Sequence, residues 1–292
     1  MAPLERRTYG LALVTIASVF WSTAGLFVRM LDVDLWTMLV WRSLFAALSL
    51  ALVAGVQTGW RLRTIASGFG WPGLIAVPIS AVSMVSYVAA LKLTSVTNVL
   101  TVYATVPFIA GALAFVWLGE TVRPRFIAAS AIALIGIVII TGSATRPRDL
   151  AGNAFALLMT VTFAIVLVMA RRYPLLGLSS INSAAAGLCA LACLPLASGA
   201  VPELAQLVVL AAFGVTTTAL AYLLFLTGGR HIPSGEAGLL GLLDVVLGPL
   251  WVWLAFSERP SNAALLGGSI VIAAVVWYLS AELRRPSAAR GT

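Results

Sequence analysis

Long apolar runs, each ended by a short segment with Pro, Gly or charged residues, alternate along the whole chain. Each run has about twenty residues, and a helix of that length crosses the roughly 30 Å hydrocarbon core of a bilayer. Because only helices and closed barrels satisfy the backbone in lipid, and these runs are too long and too uniformly apolar for barrel strands, they predict transmembrane helices. We expect ten, at residues 9–29, 35–56, 71–91, 96–118, 125–142, 151–171, 178–198, 204–227, 234–256 and 261–281.

The composition supports a membrane protein and argues against the main alternatives. Of the 292 residues, 61% are hydrophobic and 10% are charged, whereas a soluble domain has about 25% charged residues. The net charge of +8 does not indicate nucleic acid, because the basic residues mostly come in pairs between apolar runs and not on one face. We therefore expect an all-α polytopic membrane protein in a lipid bilayer, with no nucleic-acid partner and no evident obligate protein partner.

The basic residues also orient the predicted helices. An even number of spans places both termini on one side, where the loops carry twelve arginines against five basic residues on the other side. The positive-inside rule then predicts that both termini are cytoplasmic. Arg146 and Arg148 are exceptions, because they lie in a loop on the side with fewer basic residues.

The second half of the chain repeats a pattern of the first half. Tyr87–Leu91 is similar to Tyr222–Leu226, and the kinked run Val96–Glu120 is similar to Ser234–Glu258. Two halves of five helices must face opposite ways because five is odd, so the pattern predicts an inverted repeat, which is typical of secondary transporters. We place the first five-helix repeat at residues 1–143. The second repeat, with a basic C-terminal tail, occupies residues 144–292.

These motifs resemble the EamA domain of the drug/metabolite transporter superfamily. The resemblance is carried by a Tyr followed by Ala-Leu, an apolar helix ending in Leu-Gly-Glu at Glu120, and a Gly-rich run. The segments WSTAGLFVR and VWRSLFAALSLAL also fit, and both halves are covered. Within the superfamily, the chain is similar to bacterial aromatic amino-acid exporters of the YddG type. The second copy departs from the family pattern, since Asp244-Val245 stands where Glu-Pro is usual and the proline is displaced to Pro249.

The resemblance implies export of amino acids, aromatic ones in particular, from the bacterial cell across the inner membrane. It also implies related amphipathic metabolites or toxic organic cations as further substrates. The alternative is a permease for another substrate class, such as a sugar, a nucleoside or a cofactor. An intramembrane enzyme or scaffold is the interpretation from a different class.

Enzyme motifs do not occur in the sequence. There is no H-E-x-x-H, no G-x-S-x-G and no P-loop, and Gly68–Gly73 matches G-x-G-x-x-G without a preceding strand. One histidine and two cysteines in an apolar run do not provide a metal site. We expect no enzymatic activity, no cofactor, no metal and no ATP-driven step within this chain.

Candidate substrate-binding residues come from polar and aromatic positions inside the apolar runs. Hydroxyl and amide side chains recur at helical spacing in four runs, which places them on single helix faces. Such faces either line a cavity or form hydrogen bonds between helices. Deep aromatic residues either add apolar walls suited to an amphipathic ligand or face lipid. The candidates are Tyr87, Ser83, Asn98, Thr101, Tyr103, Trp21, Ser22, Phe163, Tyr222 and Asp244.

Charged residues inside the predicted spans need a role. An Asp at the bilayer centre costs about 2.5–3.5 kcal/mol on insertion scales, so it normally faces protein or water. For Asp244 the sequence leaves three roles open: a structural partner of a hydroxyl or of Arg42, a contact for a substrate ammonium, or a proton carrier. We interpret Arg42 as snorkelling or paired, and Glu120 and Glu258 as boundary residues that pair with nearby arginines.

Proline and glycine inside the spans predict positions where helices bend. Alternating access needs helices that bend about a site near the midplane, although static kinks are also common in membrane helices. The candidate gating or hinge residues are Pro78, Pro107, Gly241 and Pro249.

Overall fold

The computed structural model describes residues 3–61, 63, 68–119, 124–142, 147–229, 231, 240–241 and 243–283, and these form helices joined by short turns. Shorter stretches of helix lie between the long helices, including a 3₁₀ turn (Leu194–Leu196) and a π-helix (Val215–Leu220). The α-helices are α1 (Pro3–Ser22), α2 (Ala24–Met30), α3 (Leu35–Thr58), α4 (Gly70–Leu93), α5 (Val96–Tyr103), α6 (Val106–Leu118), α7 (Pro124–Gly142), α8 (Pro147–Arg172), α9 (Leu178–Cys193), α10 (Leu204–Gly214), α11 (Ala221–Gly229), α12 (Leu243–Phe256) and α13 (Asn262–Leu283).

Ten apolar helical segments correspond to the ten predicted runs, nine of them to within a few residues at each end; for the run at 234–256, much of the first part lies outside the described residues. Seven are long enough to cross a membrane: Arg7–Met30, Leu35–Thr58, Gly70–Leu93, Val96–Leu118, Pro147–Arg172, Leu178–Leu196 and Leu204–Gly229. Three are shorter within the described residues: Ile127–Ile140, Leu243–Phe256 and Asn262–Tyr278. The prediction of an all-helical multi-pass membrane protein is confirmed, while the count of ten spans stays a prediction.

Three of the predicted spans are interrupted, and among these three the sequence predicted a bend only in the fourth, at Pro107. The first span breaks at Thr23, the fourth breaks at Ala104–Thr105, and the eighth widens into the π-helix. At each interruption a threonine hydroxyl donates to a carbonyl three or four residues earlier, at 2.7 Å in the pairs Thr23–Phe20, Thr105–Val102 and Thr217–Phe213. Bonds of this kind compete with the hydrogen bonds of the helix and bend it.

The contacts between helices of the two halves are symmetric. When each helix of a contacting pair is replaced by its counterpart in the other half, the resulting pair is also in contact. Helix α4 of the first half packs on α8 of the second, and the corresponding pair is α11 of the second half on α1 of the first. The contact of α6 with α8 likewise corresponds to that of α12 with α1. The helices α3 and α9, and also α7 and α13, pack on their own counterparts. Two related five-helix halves would produce this pattern.

The pair α7 and α13 crosses where two glycines meet. A Cβ placed on Gly136 would lie 2.6 Å from the carbonyl oxygen of Gly267, and one on Gly267 would lie 2.5 Å from that of Gly136. Small residues allow such close backbone approach at helix contacts in membranes. Neither helix contributes a residue to the cavity described next, so this pair supports the bundle from outside the site.

Candidate functional site

A cavity of about 290 Å³ lies between the helices of the two halves, beside all three helix interruptions. This volume is close to the lower end of the range for small-molecule sites. Most of the lining is apolar or aromatic, and the polar groups are few. The lining residues are Trp21, Ala24, Arg42, Leu50, Ser80, Ser83, Met84, Tyr87, Leu100, Tyr103, Met159, Phe163, Val166, Leu167, Ala170, Leu178, Asn182, Thr217, Thr218, Tyr222, Phe225 and Asp244.

Seven of the ten predicted binding residues line this cavity. They come from six helices, namely Trp21 from α1, Ser83 and Tyr87 from α4, Tyr103 from α5, Phe163 from α8, Tyr222 from α11 and Asp244 from α12. Two aromatic pairs form its walls: the ring centroids of Trp21 and Phe225 lie 5.0 Å apart, and those of Tyr103 and Phe163 lie 5.7 Å apart. The structure therefore joins residues that are distant in sequence into one aromatic enclosure.

The other three predicted residues lie outside the cavity lining and make contacts between or within helices. Ser22 Oγ accepts a hydrogen bond of 2.9 Å from the indole nitrogen of Trp251. Asn98 Nδ2 donates to a threonine hydroxyl one turn earlier, at 3.2 Å. Thr101 is buried against α13, with its hydroxyl 3.1 Å from where a Cβ on Gly268 would be. On α5, therefore, the polar stripe serves packing and not the cavity.

The four hinge candidates lie in different local structures. Pro78 is exposed within the unbroken helix α4, and Pro249 is half-buried within α12. Pro107 stands in the first turn of α6, directly after the break in the fourth span. A first-turn proline costs the helix little because its missing N–H would be unsatisfied there in any case. Gly241 is helical and half-buried, and a Cβ added to it would meet no atom within 4 Å.

Arg42 is the main residue of the site that the sequence analysis missed. It is only 5% exposed and lines the cavity, so it does not snorkel to an interface. Its Nη2 donates to Thr218 Oγ1 at 3.3 Å, and its guanidinium carbon lies 4.7 Å from the ring centroid of Phe213. Among the described residues, its Nε has no hydrogen-bond partner. The sequence feature that could have pointed to Arg42 is its position well inside an apolar run, because a side chain there does not reach water at the membrane surface.

Asp244 is the second buried charge of the cavity. It is 5% exposed, and its Oδ1 has no hydrogen-bond partner in the described part of the chain. The described residues include no ion pair between Asp244 and Arg42, although both line the same cavity. A direct Asp244–Arg42 pair, one of the structural roles left open by the sequence, is therefore absent from this arrangement. Within the same residues no group of three potential metal ligands occurs.

The comparison with known proteins decides the family. The model of the EamA-like transporter family matches residues 8–142 and matches a second time at residues 150–280. The chain belongs to the EamA-like transporter family. This family is part of the drug/metabolite transporter superfamily, and the two matches show two EamA repeats in the chain.

No curated protein matches the sequence of this EamA-like transporter significantly. Among solved structures, one described only as "Crystal structure of protein" aligns with 96% of this chain and 100% of its own, with a TM-score of 0.68 and 20% sequence identity. At that identity, the likeness shows the fold.

One end of the EamA-like bundle is crossed by a network of ionic and polar contacts, and we call it the Arg29 end. Arg29 Nε lies 2.7 Å from Glu258 Oε2, as expected for a boundary glutamate that pairs with an arginine. Lys92 Nζ donates to the carbonyl of Val33 at 2.9 Å, and Arg148 donates to the carbonyl of Lys92 at 2.7 Å. Glu120, whose pairing with a nearby arginine was also predicted, lies outside the described residues.

The cavity extends toward the opposite end, which we call the Tyr173 end. There Tyr173 packs edge-to-face on Trp71, with ring centroids 5.4 Å apart, and Ser179 donates to Gln57 at 2.9 Å. Cavity-lining residues reach the last turn of α8 at Ala170 and the first residue of α9 at Leu178. Polar contacts thus connect the helices at the Arg29 end of the transporter, whereas the cavity extends toward the Tyr173 end.

Proposed function

We propose that this protein is a secondary transporter that exports amino acids, aromatic ones in particular, across the bacterial inner membrane. The supporting observation is the cavity, in which aromatic side chains from both halves surround about 290 Å³. An apolar enclosure with a few placed polar groups suits a ligand with an aromatic body and a polar end. Membership of a transporter family supports transport as the activity.

The proposed mechanism is alternating access by ten spans in two inverted repeats, residues 1–143 and 144–292. The three interrupted helices adjoin the cavity, as broken helices do in transporters whose substrate binds near the midplane. With both termini cytoplasmic, the Tyr173 end faces the cytoplasm, because α1 begins there and α3 and α8 end there. This conformation is then the inward-facing one, with the Arg29 end holding the outer side together.

Flux of labelled L-phenylalanine into proteoliposomes tests this proposal. Tyr87→Ala and Tyr103→Ala each remove an aromatic wall of the cavity, and we expect each to lower the flux about tenfold or more while the amount of reconstituted protein is unchanged. Phe115→Ala on α6 is the matched control, since Phe115 is 51% exposed and outside the lining. Wild-type flux in both tyrosine variants would contradict the assignment of the cavity.

A competition series tests the substrate class. Unlabelled tryptophan and tyrosine should suppress labelled phenylalanine flux, whereas glucose and uridine should not. Suppression only by a sugar or a nucleoside would instead favour a permease for that class. The same flux measured with and without a pH gradient shows whether protons are coupled to export.

A further inference from the structure

The cavity contains one buried cation and one buried carboxylate that do not pair with each other. Arg42 and Asp244 are each 5% exposed and line the same cavity, one from α3 in the first half and the other from α12 in the second. Each also has a polar atom without a partner among the described residues, Nε of Arg42 and Oδ1 of Asp244. A buried charge without a partner is strongly unfavourable unless something else satisfies it.

The fold holds Arg42 in place without using all of its donors. The π-helix presents Thr218 to one guanidinium nitrogen at 3.3 Å, and the ring of Phe213 lies beneath the guanidinium at 4.7 Å. Gly214 allows this approach, since a Cβ there would come 2.5 Å from the carbonyl oxygen of Arg42. An arginine oriented in this way keeps a planar fork of N–H groups, which matches a carboxylate.

The two unpaired charges are complementary to a ligand that carries both signs. A carboxylate on the ligand would satisfy Arg42, and an ammonium would satisfy Asp244. A ligand lacking either group would leave one buried charge unpaired, and sites of that kind reject the incomplete analogue strongly. Both charges line the same cavity, as does Tyr87.

We propose that Arg42 binds the carboxylate and Asp244 the ammonium of the substrate, so that the transporter selects zwitterionic α-amino acids over amines and acids with the same side chain. This inference rests on the proposed function as an amino-acid transporter. The aromatic walls around Tyr103 and Phe163 then recognise the side chain, and the two charges recognise the backbone of the amino acid.

Inhibition of labelled L-phenylalanine counterflow tests the selection in the wild-type protein. The probes are L-phenylalanine, phenethylamine, which lacks the carboxylate, and 3-phenylpropionate, which lacks the ammonium. We expect the half-inhibitory concentration of each incomplete analogue to be at least about tenfold higher than that of phenylalanine. Equal inhibition by all three would overturn the proposal even if phenylalanine is transported. Absence of phenylalanine counterflow would overturn the proposed function itself.

Two variants assign each ligand group to its residue. Arg42→Gln should weaken inhibition by phenylalanine at least about tenfold and leave phenethylamine unchanged, while Asp244→Asn should weaken phenylalanine and leave 3-phenylpropionate unchanged. Arg172→Gln and Asp32→Asn, at exposed positions outside the lining, are the matched controls. Equal weakening of all three probes in both variants would indicate a structural role and overturn the assignment. If a variant does not fold, the wild-type probe series still decides.

Discussion

Arg29 and Glu258 connect the two halves of the transporter through a bidentate ion pair. Arg29 Nε lies 2.7 Å from Glu258 Oε2, and Nη2 lies 3.3 Å from Oε1. The same guanidinium donates to the carbonyl oxygens of Leu91 at 2.6 Å and of Thr94 at 3.0 Å. One side chain at the end of α2 therefore holds the end of α4 and the turn after α12. Only a guanidinium has enough fixed donors for these contacts.

The coupling between Arg29 and Glu258 is measurable by a double-mutant cycle. Arg29→Gln and Glu258→Gln should each lower the free energy of unfolding in detergent, and the double variant should lose about 1 kcal/mol less than the sum, because both side chains are partly exposed. Arg148→Gln combined with Glu258→Gln is the control, since Arg148 bonds the backbone of Lys92 and not Glu258. Full additivity in the Arg29–Glu258 cycle would show that the pair contributes no coupling.

The substitution Ser22→Ala distinguishes a structural role of Ser22 from a role in substrate binding. It is 1% exposed and accepts the indole N–H of Trp251 from α12. Ser22→Ala should therefore lower the free energy of unfolding by about 1–2 kcal/mol, the cost of leaving a buried donor unsatisfied. The half-saturation concentration for phenylalanine should not change. In a Trp251→Phe background the same substitution should cost much less. A raised half-saturation concentration with unchanged stability would return Ser22 to the substrate site.

The crossing of α7 and α13 should not tolerate a methyl group. Gly136→Ala and Gly267→Ala each push a Cβ against a backbone carbonyl that cannot rotate away. We expect each to reduce the free energy of unfolding by about 1–3 kcal/mol through overpacking. Gly187→Ala in α9 is the control because no atom lies within 4 Å of the added Cβ, and alanine favours the helix there. A stability equal to that of wild type in both crossing variants would rule out close packing at this point.

Thr105 should control the break in the fourth span. Thr105→Val keeps the shape of the side chain and removes the hydroxyl that bonds the carbonyl of Val102. We expect phenylalanine flux to fall several-fold with little change in thermal stability, because the hydroxyl no longer fixes the angle between α5 and α6, while Pro107 still keeps them from forming one continuous helix. Thr58→Val is the matched control, since its hydroxyl makes the same kind of bond at the end of α3, where the helix stops. Wild-type flux in Thr105→Val would show that the break does not depend on this hydroxyl.

The positions of most helices could be predicted from the sequence because a helix buried in a membrane requires a long apolar run. Each run is bounded by residues that stop a helix or remain in water, and outside the run at 234–256 those boundaries recur in the structure within a few residues. The deep aromatic residues Trp21, Tyr87 and Phe163 line the cavity, as an aromatic residue far from both interfaces has few roles other than packing or binding. Their role in binding stays a prediction.

The interruptions of the first and eighth spans could not be predicted, unlike the bend at Pro107. The sequence also could not show which polar stripes face the cavity. A hydroxyl that bonds its own backbone and one that faces a cavity follow the same helical spacing, so Ser22 and Thr101 had the same pattern as Ser83. Arg42 was misread for a related reason. Its contacts are with Thr218 in the π-helix and with Phe213 near the end of α10, both of which are far away in sequence.

The interruptions at Thr23 and Thr217, which have no proline beside them, also bear on the free energy needed to move the helices. A proline permanently removes a backbone donor, so the kink it makes persists in every conformation. A threonine hydroxyl can release its carbonyl by rotation about one side-chain torsion, at a net cost on the order of 1 kcal/mol. We therefore expect these two hydroxyl bonds to open and close reversibly beside the cavity, whereas Pro107 makes the break in the fourth span permanent.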